Sequence, residues 1–181
     1  MLIQRLAQAS DVPVLCALVN AAYRGETSRA GWTTEADLLT GVRTSERTIQ
    51  ALLARDDACI LIGEDASGVM AASVCLEQHP EETGTVKLGM IAVSPLLQNR
   101  GYGKAMILAA EKLAVSQWAA QRAQMMVISL REELIAFYRR LGYQPTGETL
   151  PFPHQPDMWQ PQVENMQLIT LQKSLSSPFA T

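Results

Sequence analysis

The segment at residues 98–104, which reads Gln-Asn-Arg-Gly-Tyr-Gly-Lys, has the residue types and spacing of a ligand-binding turn. Gly101 and Gly103 lack side chains, so the backbone there can approach a ligand closely. Arg100 and Lys104 add positive charge. A helix that begins near Gly101 would direct unpaired amide hydrogens and the positive end of its dipole toward the same place. Together these features predict a site for two linked phosphates.

The spacing excludes two other phosphate-binding patterns. A P-loop requires Gly-Lys followed by Ser or Thr, whereas Lys104 is followed by Ala105. A dinucleotide fingerprint requires a third glycine, and Met106 occupies that position. The hypothesis of a nucleotide-binding regulator is therefore supported by the two glycines alone.

The elements on either side of the segment determine where it lies. Residues 85–93 form an apolar run typical of a buried strand, which Pro95 cannot continue in the centre of a sheet. Apolar residues at helical spacing predict a long helix over residues 101–121. A short buried strand at 125–129 and a helix at 131–141, which Gly142 ends, follow it. We therefore expect the segment between a buried strand and the longest helix.

The rest of the sequence predicts a mixed fold. The expected strands are residues 2–6, 58–64, 69–77, 85–93, 125–129, 143–150 and 163–171. The expected helices are residues 12–23, a broken stretch at 34–53, 101–121 and 131–141, and the proline-rich residues 151–161 are expected to be a loop. This order predicts one α/β (α+β) domain at residues 1–172 and a C-terminal tail at 173–181. Its sheet should be mixed, largely antiparallel, of six to seven strands and flanked by helices.

Composition excludes several classes of protein. The 181 residues carry a net charge of −3 with no basic block, which argues against nonspecific nucleic-acid binding. No apolar run reaches the ~18 residues that span a bilayer, and the first residues lack the apolar core of a signal peptide. Cys16, Cys59 and Cys75 are expected to be reduced, and no metal-ligand spacing is present. We therefore expect a cytoplasmic protein without a metal, a membrane or a nucleic acid as partner.

Two motifs together resemble the GNAT superfamily of N-acetyltransferases. Gln98, Gly101 and Gly103 match its pyrophosphate loop, [QR]-x-x-G-x-[GA], and the run from Tyr138 through Gly142 to Tyr143 matches its Tyr-x-x-x-Gly-[FY] signature. One helix and one strand separate the two motifs, as in the family. The resemblance covers residues 1–172 and is strongest at 85–143. It implies the GNAT acyl-CoA N-acyltransferase fold and acetyl-CoA as cosubstrate.

The resemblance also implies roles for individual residues. The strand before the loop would diverge from its neighbour, and the backbone of Ile91 and Val93 would pair with the pantetheine arm. The amide of Ile91 would polarise the thioester carbonyl, and Tyr138 would be the general acid that protonates the CoA thiolate. A phenol suits that role because its ordinary pKa is about 10. The implied cofactor-binding residues are Ile91, Ala92, Val93, Gln98, Asn99, Arg100, Gly101, Tyr102, Gly103 and Lys104.

The general base cannot be carried over from the family. Lys87 stands where histone-type relatives have a glutamate, so water or a carboxylate such as Glu77, Glu81 or Glu82 would have to accept the proton. Arg131 stands where relatives often have an asparagine.

The acceptor would be a primary amine, on a small molecule or a peptide, that attacks the thioester directly in a ternary complex. Its pocket is expected among residues 23–32, the loop after Glu77, and the proline-rich loop with His154 and Asp157. The alternative is a non-catalytic acyl-CoA-binding sensor of the same fold. The sequence also allows a homodimer. A strand at residues 163–171 at the edge of the sheet would have unpaired backbone groups that a second copy of the chain could cover.

Overall fold

The computed structural model describes residues 2–175 of the chain. Its strands are β1 (Ile3–Leu6), β2 (Leu39–Gly41), β3 (Ala58–Glu64), β4 (Met70–Gln78), β5 (Thr85–Val93), β6 (Arg122–Ile128), β7 (Gln144–Pro151), β8 (Trp159–Pro161) and β9 (Gln167–Ser174). Its α-helices are α1 (Val12–Tyr23), α2 (Gly25–Ser28), α3 (Glu46–Leu53), α4 (Tyr102–Trp118) and α5 (Glu132–Arg140).

Seven of these strands form one sheet in the order β1-β3-β4-β5-β6-β9-β7, and β2 pairs with β8 in a separate two-stranded ribbon. Neighbouring strands are antiparallel except β5 and β6, which run parallel. The predicted mixed, largely antiparallel sheet with flanking helices is therefore confirmed.

Helices cover both faces of the sheet because alternate strand residues point to opposite sides. On β4, Val74 belongs to the core under α4 and α5, whereas Cys75 belongs to the core under α1 and α3. Helix α4 supplies its apolar face to the first core at helical spacing, through Met106, Ile107, Ala110 and Ala114. The helix begins after Gly101, as the sequence predicted. The loop of interest thus lies where the central strand β5 gives way to a helix packed on the same sheet.

The broken helix predicted over residues 34–53 is correct only in its second half. Ser45 caps α3 through a hydrogen bond from the amide of Thr48 to its hydroxyl. The first half is a turn followed by β2, which pairs with β8 inside the stretch predicted as a proline-rich loop. This pairing joins segments about 120 residues apart, as in the register of Leu39 with Pro161, and local sequence carries no signal for it.

The final strand predicted at residues 163–171 exists as β9, but it begins four residues later than predicted and is not an edge strand. The strand β9 is Gln167–Ser174 and lies between β6 and β7, so the edges of the large sheet are β1 and β7. The expected reason for dimerisation, an uncovered last strand, therefore does not hold. The strand ends two residues beyond the predicted domain boundary at 172, and the predicted tail beyond residue 175 lies outside the described residues.

Glu111 on α4 is buried, although its position in the sequence placed it with the polar face of the helix. Its carboxylate accepts hydrogen bonds from the Lys173 ammonium at 2.7 and 2.9 Å and from the Tyr143 hydroxyl at 2.9 Å. A buried charge of this kind is tolerated because it is paired and hydrogen-bonded. The contact attaches the end of β9 to the long helix.

Among residues 2–175, no helix has both the length and the hydrophobicity that crossing a membrane requires.

Candidate functional site

A cleft opens where β5 and β6 separate. The two strands pair only from Thr85–Arg122 to Lys87–Gln124, and beyond that point the register between them ends. The pairing of β4 with β5 also shifts between Ser73 and Cys75, and opposite this bulge Met90 has a φ of 44°. A bulge bends its strand and increases the local twist. The bend directs the second half of β5 away from β6.

Beyond Lys87 the edge of β5 that faced β6 is unpaired, so its backbone N–H and C=O groups are available to this cleft. The amide of Ser94 donates to the Ala71 carbonyl at 2.8 Å and therefore points toward β4. Because backbone groups alternate in direction along a strand, the N–H and C=O groups of Ile91 and Val93 point away from β4. Two side chains confirm this direction. The Tyr23 hydroxyl donates to the Ile91 carbonyl at 2.6 Å, and the Gln98 side chain donates to the Val93 carbonyl at 3.2 Å. The amide hydrogens of Ile91 and Val93 therefore point into the cleft.

The loop at residues 98–104 has the backbone of an anion site. Asn99 and Gly101 both adopt left-handed conformations, with φ values of 62° and 78°. The first hydrogen bond of α4 runs from the Ala105 amide to the Gly101 carbonyl at 3.0 Å. The amides of Tyr102, Gly103 and Lys104 precede that bond, where a helix leaves its N–H groups unpaired. A Cβ at Gly101 would meet no heavy atom within 4 Å, so this glycine is required for its positive φ and borders open space.

The side chain of Gln98 faces the protein rather than the open side of the loop. Its carbonyl oxygen accepts from the Trp32 amide, and its nitrogen donates to the Thr33 hydroxyl, both at 2.8 Å. Gly31 makes this approach possible, because a Cβ there would lie 2.7 Å from the Gln98 amide atoms. Gln98 thus fixes the loop against the segment after α2.

Three cavities lie along the cleft, and we name them the loop cavity, the central cavity and the outer cavity. The loop cavity, about 160 Å³, lies over the 98–104 loop and is lined by Tyr23, Trp32, Thr33, Ile91, Val93, Gln98, Asn99, Gly101, Tyr102, Gly103, Lys104, Leu134, Phe137 and Tyr138. The central cavity, about 240 Å³, lies between β5 and β6 and has Tyr23, Arg24, Glu35, Arg43 and Tyr138 among its lining residues. The outer cavity, about 680 Å³, includes Lys87 in its lining and has four of the five acidic residues that line the three cavities, Glu77, Glu81, Glu82 and Glu148.

Eight of the ten predicted cofactor-binding residues line the loop cavity. Ala92 does not, because its side chain is buried in the core under α1 and α3. Arg100 is exposed and also lies outside the lining. A ligand in this cavity could therefore reach Ala92 only through its backbone. It could reach Arg100 through its backbone or after a rotation of its side chain.

Tyr138 and Tyr23 lie on both the loop cavity and the central cavity. The Tyr138 side chain is buried, and its hydroxyl has no hydrogen-bond partner within residues 2–175. Burial raises the pKa of Tyr138 well above its ordinary value of 10, with the nearby Tyr23 as a smaller cause. Burial also raises the pKa of Tyr23 to about 12. Both phenols are therefore protonated at neutral pH, and that of Tyr138 is free to donate.

A buried ionic cluster supports the wall of the central cavity. Glu35 pairs with Arg24, and the Arg131 guanidinium lies 3.6 Å from the other oxygen of the same carboxylate. Arg131 also donates to the Thr33 carbonyl at 3.2 Å and to the Trp32 carbonyl at 3.4 Å. Sequence reasoning named Arg131 without a role, included Arg24 only within the predicted acceptor segment at residues 23–32, and missed Glu35. The contact of Arg131 with Glu35 joins residues distant in the chain and leaves no local pattern.

The three carboxylates considered as a general base, Glu77, Glu81 and Glu82, all line the outer cavity, and two of them already have partners. Glu77 accepts from Arg55 at 2.5 Å, and Glu82 accepts from Gln124 at 3.0 Å. His79 lines the same cavity, whereas His154 and Asp157 line none of the three. Of the predicted acceptor segment at residues 23–32, Tyr23 and Arg24 reach the central cavity, and Trp32 lies on the loop cavity instead. Within residues 2–175, no group of three or more His, Cys, Asp or Glu side chains is arranged to hold a metal ion.

The sequence model of the acetyltransferase (GNAT) family matches residues 19–143. A search of the curated proteins gives no significant match. Among solved structures, the fold is similar to that of the ribosomal-protein-S18-alanine N-acetyltransferase from Escherichia coli. That match has a TM-score of 0.70 and 16% identity, and covers 97% of this chain and 95% of that chain.

Two further structures are similar to the same extent. The spermidine N-acetyltransferase from Vibrio cholerae, in complex with CoA and spermine, gives a TM-score of 0.70 at 14% identity over 97% of this chain and 96% of that one. An N-acetyltransferase from Staphylococcus aureus Mu50 gives 0.69 at 14% identity over 97% and 99%. At these identities the matches establish the fold alone.

Proposed function

The chain belongs to the acetyltransferase (GNAT) family, and from this premise we propose that it transfers an acetyl group from acetyl-CoA to a primary amine by direct attack in a ternary complex. One observation carries the proposal: the unpaired hydroxyl of Tyr138 lies at the junction of the loop cavity and the central cavity. A donor in the first cavity and an acceptor in the second would meet beside it.

The loop cavity has the chemistry that CoA requires. The amides at residues 102–104 and the positive end of the α4 dipole suit a pyrophosphate, and Lys104 adds a charge on the same wall. The amides of Ile91 and Val93 suit the amide carbonyls of a pantetheine arm laid along β5, because that arm would replace the strand neighbour that β5 lacks beyond Lys87. These contacts would be made by the main chain, so the side chains are free to be ordinary core residues.

The amide of Ile91 would act on the reacting carbonyl. As the amine nitrogen forms its bond to the thioester carbon, negative charge develops on the carbonyl oxygen. A fixed N–H donor in a dry cleft stabilises that charge without reorganisation, and removal of one such donor typically costs ~10²–10³ in rate. The Tyr23 hydroxyl occupies the Ile91 carbonyl, which fixes this peptide in place.

Tyr138 would complete the transfer. The carbon–sulfur bond breaks with its electron pair on sulfur, and the phenol gives its proton to that thiolate. The tyrosinate then takes back a proton from the nitrogen of the new amide, which still carries both hydrogens of the attacking amine. The net change therefore moves one proton from nitrogen to sulfur. Before attack the acceptor ammonium must lose its extra proton, and water in the outer cavity, beside Glu77 and Glu82, is the route that fits the charges present.

A turnover experiment tests the proposal. The protein is incubated with acetyl-CoA and a mixture of metabolite amines, released CoA is measured, and mass spectrometry detects any amine that gains an acetyl group. The expected result is one amine class with stoichiometric CoA release. CoA binding without acetyl transfer to any amine would instead indicate the non-catalytic sensor.

A further inference from the structure

The charge of the central cavity indicates which amines the enzyme accepts. Three charged side chains line the central cavity: Arg24, Arg43 and Glu35. The single carboxylate is already shared, since Glu35 contacts both Arg24 and Arg131. The cavity therefore carries an excess of positive charge at the place where the acceptor must bind.

Arg24 retains an unused donor on this wall. The residue is only 6% exposed, and one terminal nitrogen of its guanidinium pairs with Glu35. Its Nε is buried and has no hydrogen-bond partner among the described residues. Buried donors in native proteins are nearly always satisfied, so the unpaired Nε leaves this guanidinium, which lines the cavity, with capacity for a further acceptor.

Arg43 supplies the second free donor. Its guanidinium lies over the ring of Tyr23, 5.7 Å from the centroid, and it lines both the central and the outer cavity. Within residues 2–175 it forms no ion pair with a carboxylate, although it is half-buried. A guanidinium with free donors, held by an aromatic ring, suits a carboxylate.

The remaining lining of the central cavity is mainly apolar. It comprises Leu88, Met125, Val127, Ile128, Phe152 and Leu168, among others. The volume of about 240 Å³ is below the ~300–1,000 Å³ of pockets for drug-sized ligands, so the acceptor is small. A ligand that matches this cavity has an anionic group near its amine and an apolar remainder.

We propose that the acceptor is a free α-amino acid with an apolar side chain, whose carboxylate binds between Arg24 and Arg43 while its amine faces the thioester. This inference rests on the proposed function and names the substrate class of the same site. A polyamine is disfavoured because it would place cationic groups beside these arginines. Of the acidic residues that line the outer cavity, Glu77 pairs with Arg55, whereas Glu82 and Glu148 accept hydrogen bonds from the neutral side chains of Gln124 and Thr170. These carboxylates do not line the central cavity, where the acceptor amine must meet the thioester.

The test compares amines that differ only in the carboxylate. Phenylalanine, leucine and methionine are each assayed against the amine that lacks the carboxylate group, with spermidine as a further acceptor. Because hydrogen bonds to a charged group are the strong ones, each amino acid should exceed its decarboxylated partner by about 10- to 100-fold in kcat/KM. In Arg43→Gln this ratio should fall toward one, chiefly through a higher KM for the amino acid. The matched control is Arg47→Gln, an exposed arginine of α3 that lines none of the cavities and should leave the ratio unchanged.

A second measurement does not depend on turnover. In the presence of CoA, N-acetylphenylalanine should bind the wild-type protein at least about 10-fold more tightly than N-acetylphenethylamine by calorimetry. Equal or better turnover of the decarboxylated amines or of spermidine would overturn the inference and leave the proposed function standing. Acetylation of no amine at all, with CoA still bound, would overturn the proposed function and this inference with it.

Discussion

The side-chain oxygen of Gln98 accepts a hydrogen bond from the main-chain amide of Trp32 at 2.8 Å. On the other side of the same segment, Arg131 donates to the carbonyls of Trp32 and Thr33. Residues 32 and 33 are therefore held between the loop at residues 98–104 and the start of α5. This segment forms one wall of the loop cavity, so its position depends on both side chains.

Replacing Gln98 with alanine should weaken acetyl-CoA binding without touching a phosphate contact. The variant loses hydrogen bonds to Trp32, Thr33 and Val93, each worth about 0.5–1.5 kcal/mol, so the free energy of unfolding should fall by about 1.5–4.5 kcal/mol. We expect the Kd for acetyl-CoA, measured by calorimetry, to rise about 10-fold as the loop loosens. Gln50→Ala, at an exposed position of α3, is the control and should change neither quantity.

Replacing Tyr138 with phenylalanine should separate catalysis from binding. The phenol would no longer protonate the leaving thiolate, and general acid catalysis typically contributes ~10²–10⁴-fold, so kcat should fall by about that factor. Because the hydroxyl has no partner among residues 2–175, its removal should not lower the melting temperature or the affinity for acetyl-CoA. Steady-state kinetics and calorimetry give the three quantities.

The control for this variant is Tyr143→Phe, in the same aromatic group. The Tyr138 and Tyr143 rings are 6.3 Å apart, but the Tyr143 hydroxyl bonds to Glu111, away from the three cavities. It should lower stability and leave kcat within about twofold of the wild type. Unchanged turnover in Tyr138→Phe would remove this residue from the mechanism.

The sequence predicted the loop but not the contacts that hold it in place, because the loop depends on local features and the contacts join distant residues. Gly101, Gly103 and the start of α4 are local features, since a positive φ and a helix terminus depend on adjacent residues. The contacts of Gln98 with Trp32 and of Arg131 with Glu35 join residues more than sixty positions apart. No periodicity or spacing encodes such pairs.

The fold shows the same division between local features, which the sequence predicted, and long-range contacts, which it did not. The central elements β3, β4, β5, α4 and α5 were predicted from hydrophobic period and capping, with small errors at their ends. Residues 34–38 resembled a helix start because Thr34 can cap a following amide, and it does so for Ala36 at 3.2 Å. The helix does not continue because Glu35 is drawn into the arginine cluster and β2 pairs with β8. Tertiary contacts thus overrode a correct local signal.

Breaking the pair of Glu111 and Lys173 should destabilise the protein strongly. Lys173→Met would leave a buried carboxylate with only the Tyr143 hydroxyl as partner, and loss of one member of a buried ion pair costs about 3–5 kcal/mol. The double variant Glu111→Leu, Lys173→Met should recover most of that loss, because two apolar side chains need no partner. Urea denaturation measures both values.

The matched control replaces a lysine beside the pair. Lys112 is exposed on the same helix, and Lys112→Met should change the free energy of unfolding by less than about 0.5 kcal/mol. If Lys173→Met were as mild, the contact would not be what attaches β9 to α4.

Stability should fall above pH 9 because four buried acids resist ionisation in the folded state. Burial raises the pKa of Cys75 from 9.0 to about 12 and that of Tyr23 from 10.0 to about 12, and it raises the pKa of Tyr138 and Tyr143 as well. Below pH 9 both states are protonated and the full stability is present. As pH rises past 9 for the thiol and past 10 for the phenols, the unfolded chain loses protons that the folded chain retains. Stability is therefore lost, by up to about 1.4 kcal/mol per pH unit for each group.

Thermal melts between pH 8 and 11.5 measure this loss. In Cys75→Ala the decline between pH 9 and 10 should be shallower than in the wild type, because of the three thiols with a raised pKa only the less buried Cys16 and Cys59 remain. A melting temperature that stays constant from pH 8 to 11 would contradict the burial of these groups.

The position of β9 between β6 and β7 sets the order in which the nascent chain can assemble. Strands β1, β3, β4, β5 and β6 neighbour one another in the order in which the ribosome makes them. Strand β7 leaves the ribosome next, but it has no neighbour until Gln167–Ser174 has followed it. All eight of its residues are exposed even in the finished protein, so in the interim it is an unpaired edge open to other chains. This sheet can close only after residues 167–174 have been made, and a ribosome stalled before residue 167 would hold a chain that cannot finish folding.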